Sequence, residues 1–424
     1  MIKFLIKGLL RDRSRSLFPL LTVAIGVFLT VVFYCWMQGI VGDMLQTTAR
    51  FEAGHVKVMS RAYVREADQI PNDLALLGAG GLLDELRRDH PSLTWTSRIR
   101  FGGLLDVPDE KGETKAQAPV AGLAVDLLSP SSPEPGILNL AGGLVRGRLP
   151  QQRGEILVSD DLAGRLGLGL GGTVTLIGSS MYGSLITANF TLAGTIRFGV
   201  QAIDRGMMVA DLEDVRLALD MQDAAGEVLG FLHGGFYDDV QAGRLAGAFN
   251  ALPRKADDPF SPVMETLRQQ SGLGDMVDMM NTVVGALVAI FVLAMCVVLW
   301  NAGLMGNIRR YGEIGVRLAM GEAKGRVYRS MIGESLILGF IGSLAGTALG
   351  LALAYVLQAN GINFGSLFEK ATLLMSTSMR ARVTPVSFII GFVPGLLATL
   401  AGASIAGLGI FKRQTSRLLK ELEA

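Results

Sequence analysis

The stretch Leu17–Gly42, LFPLLTVAIGVFLTVVFYCWMQGIVG, contains no Asp, Glu, Lys or Arg. A helix needs roughly 20 mostly apolar residues to cross the hydrocarbon core of a bilayer, so this stretch predicts a membrane-spanning helix. Its apolar run is longer than the roughly 7–15 apolar residues of a secretory signal peptide, and no small-x-small cleavage site follows it. We therefore expect the segment to remain in the protein as a membrane anchor.

Three more stretches of this kind lie in the C-terminal part of the chain. Together with residues 17–42, they predict membrane helices over residues 279–305, 335–358 and 385–411. Charged residues make up only 18% of the chain, against roughly 25% in soluble proteins. A fifth charge-free stretch, Leu166–Ile196, differs because glycines interrupt it and Thr173–Ile177 alternates polar and apolar residues. That alternation predicts a buried β-hairpin and not a membrane span.

Short strand and helix patterns alternate between the first and second predicted spans, over residues 43–278. Such alternation with short links is typical of a mixed α+β domain. The predicted fold is therefore a membrane protein with four transmembrane α-helices in a one-plus-three arrangement. A large α+β extracytoplasmic domain lies between the first helix and the second.

The orientation in the membrane follows from the positions of Lys and Arg. Basic residues are concentrated in residues 1–16, which we interpret as an amphipathic N-terminal segment, in the loop 306–334 and in the tail 412–424. Because such residues accumulate on the cytoplasmic side, these three segments and both termini are expected in the cytoplasm. The domain 43–278 and the short loop 359–384 are then periplasmic, and the protein is expected in the inner membrane.

The chain lacks the sequence motifs of several enzyme classes. It contains no G-x-x-x-x-G-K-[ST] loop for nucleotide phosphates, no H-E-x-x-H, no C-x-x-C and no G-x-S-x-G. Surface or helix-capping roles are expected for His55, His90 and His233, and no disulfide between Cys35 and Cys296. A net charge of +1 disfavours nucleic-acid binding. We expect no catalytic residue, metal or cofactor, and any energy for transport should come from another subunit.

The segment from Asn307 to Gly346, NIRRYGEIGVRLAMGEAKGRVYRSMIGESLILGFIGSLAG, predicts a short basic helix before the third span. On a helix, Ile314 and Leu318 share one apolar face, and Glu313 precedes Arg317 by four residues, which favours an ion pair. A short helix with an apolar face and basic flanks suits docking onto a partner protein. The alternative interpretation is an interfacial helix lying on anionic lipid.

This segment resembles the cytoplasmic signature of the FtsX/MacB-type (type VII) ABC permeases, in which a run like R-R-x-x-E-I-G-x-x-R-A-L-G precedes the third span. The order Leu318-Ala319-Met320-Gly321 departs slightly from that pattern. The matching residues, to which the resemblance assigns coupling to an ATPase, are Arg309, Arg310, Glu313, Ile314, Gly315, Arg317, Leu318 and Gly321, with Ala319 also matching. The domain 43–278 resembles the periplasmic domain of the same family at Gly147–Pro150, Gly154–Ser159 and Gly171–Val174.

The resemblance implies a permease that works with cytoplasmic ABC ATPase subunits, which bind the ATP, and with a second permease, identical or homologous. ATP hydrolysis would move the periplasmic domains through the membrane, a mechanism called mechanotransmission. The expected branch is that of the lipoprotein-releasing (LolC/LolE-like) permeases, which extract lipidated or hydrophobic cargo from the outer leaflet in contact with membrane lipid. There, the first two spans line a lateral opening for lipid chains; the candidate lining residues are Phe28, Phe33, Trp36, Met37, Met280 and Val284.

Two alternatives remain open at this point. The protein could be an efflux permease for peptides or antibiotics that works with a periplasmic adaptor. It could also transport nothing and activate a cell-wall hydrolase across the membrane. Cargo identity, homodimer versus heterodimer, and the periplasmic surface that meets a carrier or adaptor are not encoded in any motif of the chain.

Overall fold

A computed structural model of the protein describes residues 13–109, 111–199, 201–233, 237–252, 258–270, 272–308, 311–363 and 378–412. The chain divides into two compact units. The helical unit falls within Met1–Gly42, Met280–Asn363 and Ser378–Ala424, and the sheet-rich unit within Asp43–Met279 and Phe364–Thr377.

The α-helices of the described chain range from single turns to membrane-spanning lengths. In chain order they are α1 (Arg13–Thr48), α2 (Arg61–Arg65), α3 (Ala79–Asp89), α4 (Glu134–Ile137), α5 (Leu140–Gly143), α6 (Asp160–Leu166), α7 (Gln201–Asp204), α8 (Leu212–Ala218), α9 (Asp239–Asn250), α10 (Leu273–Ile308), α11 (Tyr311–Ala319), α12 (Lys324–Asn360) and α13 (Phe392–Lys412). A π-helical turn, Ala49–Ala53, continues α1, and 3-10 turns occur at Ala67–Gln69, Asn72–Leu74, Leu267–Gln269 and Pro385–Phe388.

Four helices of the described chain, α1, α10, α12 and α13, are long and apolar enough to cross a membrane. The sheet-rich unit lies between the first and second of them in the chain. The predicted one-plus-three arrangement around an α+β domain is therefore confirmed.

The long helices extend beyond the apolar stretches that predict them. α1 begins at Arg13 and its π-helical continuation ends at Gly54, which has a φ of +62° and donates its N–H to the carbonyl of Ala49 at 2.8 Å. α12 begins at Lys324, well before the apolar run that starts at Ser335. Polar residues extend a helix where no breaker intervenes, so hydrophobicity marks the membrane core and not the helix ends.

The helical unit is held together by close approach of α1, α12 and α13. Valines spaced four apart on α1, Val23, Val27 and Val31, are buried because this spacing places them on one helix face. Facing them are glycines at small-xxx-small spacing on α12, which let helix backbones approach closely. These are Gly342, Gly346 and Gly350.

The sheet-rich unit contains a ten-stranded sheet with the neighbour order β12-β1-β11-β3-β4-β9-β6-β8-β5, and β7 pairs with β3 and β8. Small two-stranded pairs, β2 with β10 and β13 with β14, complete the strands. The strands are β1 (Val56–Ser60), β2 (Leu76–Leu77), β3 (Leu93–Pro108), β4 (Thr114–Val125), β5 (Leu144–Gly147), β6 (Glu155–Ser159), β7 (Thr173–Ser179), β8 (Leu185–Ile196), β9 (Met207–Asp211), β10 (Ala224–Ala225), β11 (Glu227–Leu232), β12 (Pro262–Thr266), β13 (Ile362–Asn363) and β14 (Ser378–Met379).

The charge-free stretch that was expected to be a hairpin forms one. β7 and β8 pair antiparallel from Thr173 opposite Thr191 to Ser179 opposite Leu185. Val174 and Leu176 point into the largest apolar core of the unit, whereas Thr173 is exposed. The alternation seen in the sequence is thus the alternation of buried and exposed faces of a strand.

One expectation for the sheet-rich unit was wrong. His55 is neither a surface nor a capping residue: it is buried, and its Nδ1 accepts the backbone N–H of Leu232 at 2.9 Å. Burial lowers the pKa of His55 to about 4, since the charged form would be desolvated. Ser159, the residue that precedes α6, forms no side-chain cap hydrogen bond. Asp160 next to it is instead held by Arg146 at 2.8 Å.

Candidate functional site

The candidate coupling segment is the short helix α11 and the turn that follows it. α10 ends at Ile308, α11 covers Tyr311–Ala319, and α12 starts at Lys324. Gly321, with a φ of +89°, forms the turn, a backbone conformation that glycine adopts without steric cost. Gly321 donates its N–H to the Leu318 carbonyl at 3.1 Å, and Met320 donates to Val316 at 3.0 Å. The turn therefore closes directly onto the end of α11.

The predicted apolar face of α11 is not free for a partner. Ile314 is only 5% exposed and packs with Leu318 against Val327 and Met331 of α12. This small core fixes α11 on the first turns of α12. Because α12 continues into an apolar stretch of membrane-spanning length, a force on α11 would act on that helix directly.

A different edge of α11 is exposed. Val316 is 42% exposed and Met320 is 76% exposed, and Ala319 between them is also exposed. Residues four apart lie on the same side of a helical turn, so Val316 and Met320 form one apolar edge. The sequence analysis missed Met320, which it noted only as a departure from the family pattern. The sequence feature that could have identified Met320 is a large apolar residue directly before a turn glycine.

Arg317 forms an ion pair with Glu322, which the sequence analysis did not predict. Its guanidinium binds Glu322 in a two-pronged geometry, with Nε to Oε2 at 2.8 Å and Nη2 to Oε1 at 3.1 Å. Both side chains are partly exposed, so the pair contributes no more than about 1 kcal/mol. Its effect is to hold the turn against α11. The sequence analysis predicted Glu313 as the partner of Arg317, and the structure does not describe the side chain of Glu313.

The remaining coupling candidates are placed as follows. Gly315 is buried, and Gly321 is exposed at the turn. Arg309 and Arg310 lie outside the described residues. The structure thus brings Ile314, Gly315, Leu318 and Arg317 together on α11, with the first three facing inward or partly inward.

Of the candidate cargo-lining residues, Phe33 of α1 stacks on Phe291 of α10, with ring centroids 4.5 Å apart and an interplanar angle of 24°. Stacked aromatic side chains at this distance are a favourable packing contact. The other candidates are half-buried, namely Phe28, Trp36, Met37, Met280 and Val284. At Phe33, therefore, α1 and α10 are in contact.

In the described part of the sheet-rich unit two ion pairs are buried, and the sequence analysis predicted neither. Arg98 of β3 forms two hydrogen bonds to Glu134 of α4, at 2.7 and 2.8 Å, and donates a third to the carbonyl of Arg50 at 2.7 Å. Lys57 of β1 binds Glu227 of β11 at 3.0 Å. For Lys57, the signal in the sequence was a single charged residue inside the strand-like run 55–59.

The Lys57–Glu227 pair lines a polar cavity of 280 Å³. Burial raises the pKa of Glu265 in the same cavity, and the nearby Lys57 partly opposes that rise. Burial, assisted by the charge of Glu227, also raises the pKa of Tyr63. Among the residues that the structure describes, no group of three or more His, Cys, Asp or Glu side chains could hold a metal ion.

Comparison with known proteins identifies the C-terminal part of the chain. The family described as FtsX-like permease C-terminal matches residues 285–415, which contain most of α10 and all of α11, α12 and α13. The match therefore includes the whole candidate coupling segment.

Two curated relatives have names that refer to different cargoes. The lipoprotein-releasing system transmembrane protein LolC of Xylella fastidiosa is 25% identical over 209 residues, 48% of this chain and 48% of that protein. The macrolide export ATP-binding/permease protein MacB of Hyphomonas neptunium is 29% identical over 138 residues, 32% of this chain and 18% of that protein. The chain spans about half the length of LolC and a smaller share of the length of MacB.

Among solved structures, the periplasmic region of MacB from Actinobacillus actinomycetemcomitans is similar in fold over part of the chain. The match covers 53% of this chain and 92% of that structure's chain, with 12% sequence identity and a TM-score of 0.36.

Proposed function

We propose that the chain is the membrane subunit of an ATP-driven ABC transporter, because its residues 285–415 match the FtsX-like permease family and it is 25% identical to LolC over 209 residues. In this proposal a separate cytoplasmic ATPase binds and hydrolyses the ATP. The chain supplies no catalytic residue and no cofactor. Two permease chains, identical or homologous, and two ATPase subunits form the complex in the inner membrane.

The proposal rests on the exposed apolar edge of α11, which lies beside the face by which α11 packs against α12. Val316 and Met320 offer a small apolar surface of the size that a shallow groove on a partner can accept. Ile314 and Leu318 transmit motion of that surface to α12 through their packing against Val327 and Met331. In this proposal the exposed edge of α11 binds the ATPase, and the buried face of α11 transmits the motion to α12.

The docking edge is tested by Met320→Glu. A carboxylate placed in an apolar contact would be desolvated without a partner, so we expect at least a tenfold loss of ATPase binding. The measurement is co-purification of the ATPase from native membranes, quantified by mass spectrometry. Leu217→Glu is the matched control, since Leu217 on α8 is 70% exposed and lies in the sheet-rich unit.

The two variants separate the docking edge from a general effect of the substitution. Normal membrane insertion of Met320→Glu with loss of the ATPase supports the proposal. Unchanged co-purification of the ATPase with Met320→Glu contradicts it, and equal loss in Leu217→Glu shows that the edge is not specific.

For the transport step we propose mechanotransmission of lipidated or hydrophobic cargo from the outer leaflet. The support is the similarity to LolC, whose name records lipoprotein release. Phe28, Trp36, Met37, Met280 and Val284 are half-buried on α1 and α10 and remain the proposed lining for acyl chains, with Phe33 opening from its stack on Phe291. The experiment is depletion of the protein followed by quantification of lipoproteins retained in the inner membrane.

A second candidate function is efflux through an adaptor. The similarity to MacB, whose name records macrolide export, favours it. The same depletion strain distinguishes the two: increased macrolide sensitivity with normal lipoprotein sorting would support efflux. Retained lipoproteins with unchanged sensitivity would support release.

A further inference from the structure

A mainly apolar cavity of the sheet-rich unit is not explained by transport through the helical unit. Its volume is 620 Å³, within the range of roughly 300–1,000 Å³ found for small-molecule sites. It is bounded by β3, β4 and β9, by α6, and by the π-helical turn after α1. Most of its wall is apolar, including Phe51, Phe101, Val120, Leu123 and Met207.

Three arginines interrupt this apolar wall. Arg100 comes from β3, Arg165 from α6 and Arg205 from the turn before β9, and one carboxylate, Glu52, stands among them. The wall therefore has an excess of positive charge. Guanidinium groups bind carboxylates and phosphates through two parallel hydrogen bonds, so the cavity is complementary to an anion that also has an apolar part.

The arrangement of the arginines leaves guanidinium N–H groups available to donate hydrogen bonds to a ligand. The Arg165 guanidinium donates to the Arg205 carbonyl, which holds these two residues next to each other. Arg100 is half-buried, and within the described part of the chain its guanidinium has neither an ion-pair nor a hydrogen-bond partner. Arg100 also lines the neighbouring polar cavity, but Glu227 there is already paired with Lys57 at 3.0 Å.

A half-buried cation without a counter-ion is unfavourable because it is partly desolvated. An anionic ligand would remove that cost. From this geometry we propose that the cavity binds a single-chain amphiphile with an acidic head group, its acyl chain against the apolar wall and its head group at Arg100 and Arg205. The carboxylate of a fatty acid and the phosphate of a lysophospholipid share this chemistry. The proposal does not depend on the transport function.

The test uses the full-length protein in nanodiscs of phosphatidylcholine, with a diazirine-bearing hexadecanoate as the probe. After photolysis, peptide mapping by mass spectrometry is expected to place saturable labelling on the segments of β4 and β9 that line the cavity. Unlabelled hexadecanoate and lysophosphatidic acid should both compete with the probe. Stronger competition by hexadecanoate would indicate a carboxylate head group, and stronger competition by lysophosphatidic acid would indicate a phosphate head group. Hexadecanol, which has the same chain and no charge, should compete at least tenfold more weakly.

Two variants probe the two halves of the site. Ala121→Trp fills the cavity from an exposed position on β4, and it should reduce labelling at least tenfold. Arg100→Gln removes the unpaired cation and should weaken probe binding by about tenfold, the effect of losing one charged hydrogen-bonding partner. Arg88→Gln, an exposed arginine on α3 outside the cavity, is the matched control and should leave labelling unchanged.

If Ala121→Trp fails to fold, the labelling of Arg100→Gln and the competition by unlabelled ligands still test the proposal. Labelling that maps elsewhere, or that neither variant changes, overturns the site. Equal competition by hexadecanol and hexadecanoate overturns the requirement for an acidic head group. Failure of both acids to compete overturns the ligand class.

Discussion

At the scale of single residues, Arg98 contacts several separate segments of the sheet-rich unit. Its guanidinium binds both carboxylate oxygens of Glu134 and the carbonyl of Arg50, and it also lies 5.8 Å from the ring centroid of Phe231. Arg50 belongs to the π-helical turn that continues α1. One side chain therefore connects β3, α4 and the end of the first long helix.

Removing one partner of this pair should destabilise the sheet-rich unit strongly. In Arg98→Ala the carboxylate of Glu134, which is fully buried, would keep its charge without a counter-ion. Loss of one partner of a buried pair costs about 3–5 kcal/mol. Pulse proteolysis of the purified protein over a urea series would measure the loss of stability.

Two further variants test the reason for that loss. Arg98→Met combined with Glu134→Leu removes both charges, and it should recover part of the stability because no unpaired charge remains. Arg87→Ala removes an exposed cation 3.9 Å from Asp84 and should leave the urea midpoint unchanged. A double variant no more stable than Arg98→Ala would show that packing, and not charge pairing, explains the effect.

At the scale of elements, the helical unit depends on helix pairs that approach without side chains between them. A Cβ atom at Gly346 would lie 2.4 Å from the carbonyl oxygen of Ala24 and 3.1 Å from the backbone nitrogen of Phe28. These neighbours are backbone atoms of α1, so they have no rotamer that moves them away. Small residues at such positions allow the van der Waals packing that associates membrane helices.

Gly346→Leu should therefore separate α1 from α12. Overpacking costs about 1–3 kcal/mol in well-packed cores, and contact with backbone places this site at the upper end. We expect a lower thermal unfolding midpoint of the detergent-solubilised protein and faster proteolysis of the helical unit. Gly285→Leu on α10 is the matched control, since a Cβ there meets no atom within 4 Å. Equal midpoints for the two variants would contradict the packing described for Gly346.

At the scale of the whole molecule, the distribution of basic residues predicts which parts face the cytoplasm. Arg317, Lys324, Arg326 and Arg329 follow one another between α10 and the apolar part of α12. Lys and Arg near span ends are retained on the cytoplasmic side during insertion. On that basis we expect α11 and both termini on the cytoplasmic side and the sheet-rich unit on the periplasmic side.

Single cysteines introduced after replacing Cys35 and Cys296 by Ala test this orientation. Arg88→Cys in the sheet-rich unit and Arg326→Cys on α12 both replace exposed residues. A maleimide that cannot cross the inner membrane should label Arg88→Cys in spheroplasts. It should label Arg326→Cys only after the membrane is permeabilised. The reverse pattern would invert the topology and exclude a cytoplasmic ATPase from α11.

The four apolar helices, the domain between the first two and the β7–β8 hairpin could all be predicted from the sequence. These features depend on local patterns, because an uninterrupted apolar run or an alternation of polar and apolar residues has the same meaning wherever the rest of the chain lies. The match of α11 to a family signature was local in the same way. The start of α12 at Lys324 was not predicted, since polar helical turns carry no hydrophobic signal.

Contacts between distant parts of the chain were decided only by the tertiary structure. Ile314 turned inward because Val327 and Met331 lie across the turn, and Arg317 took Glu322 because the turn at Gly321 folds that carboxylate back onto α11. Arg98 and Glu134 are far apart in the chain and form their ion pair only in the folded sheet-rich unit, where Arg100 and Arg205 also line one cavity. Pairing energy and cavity shape depend on distances in space, and a linear pattern does not contain those distances.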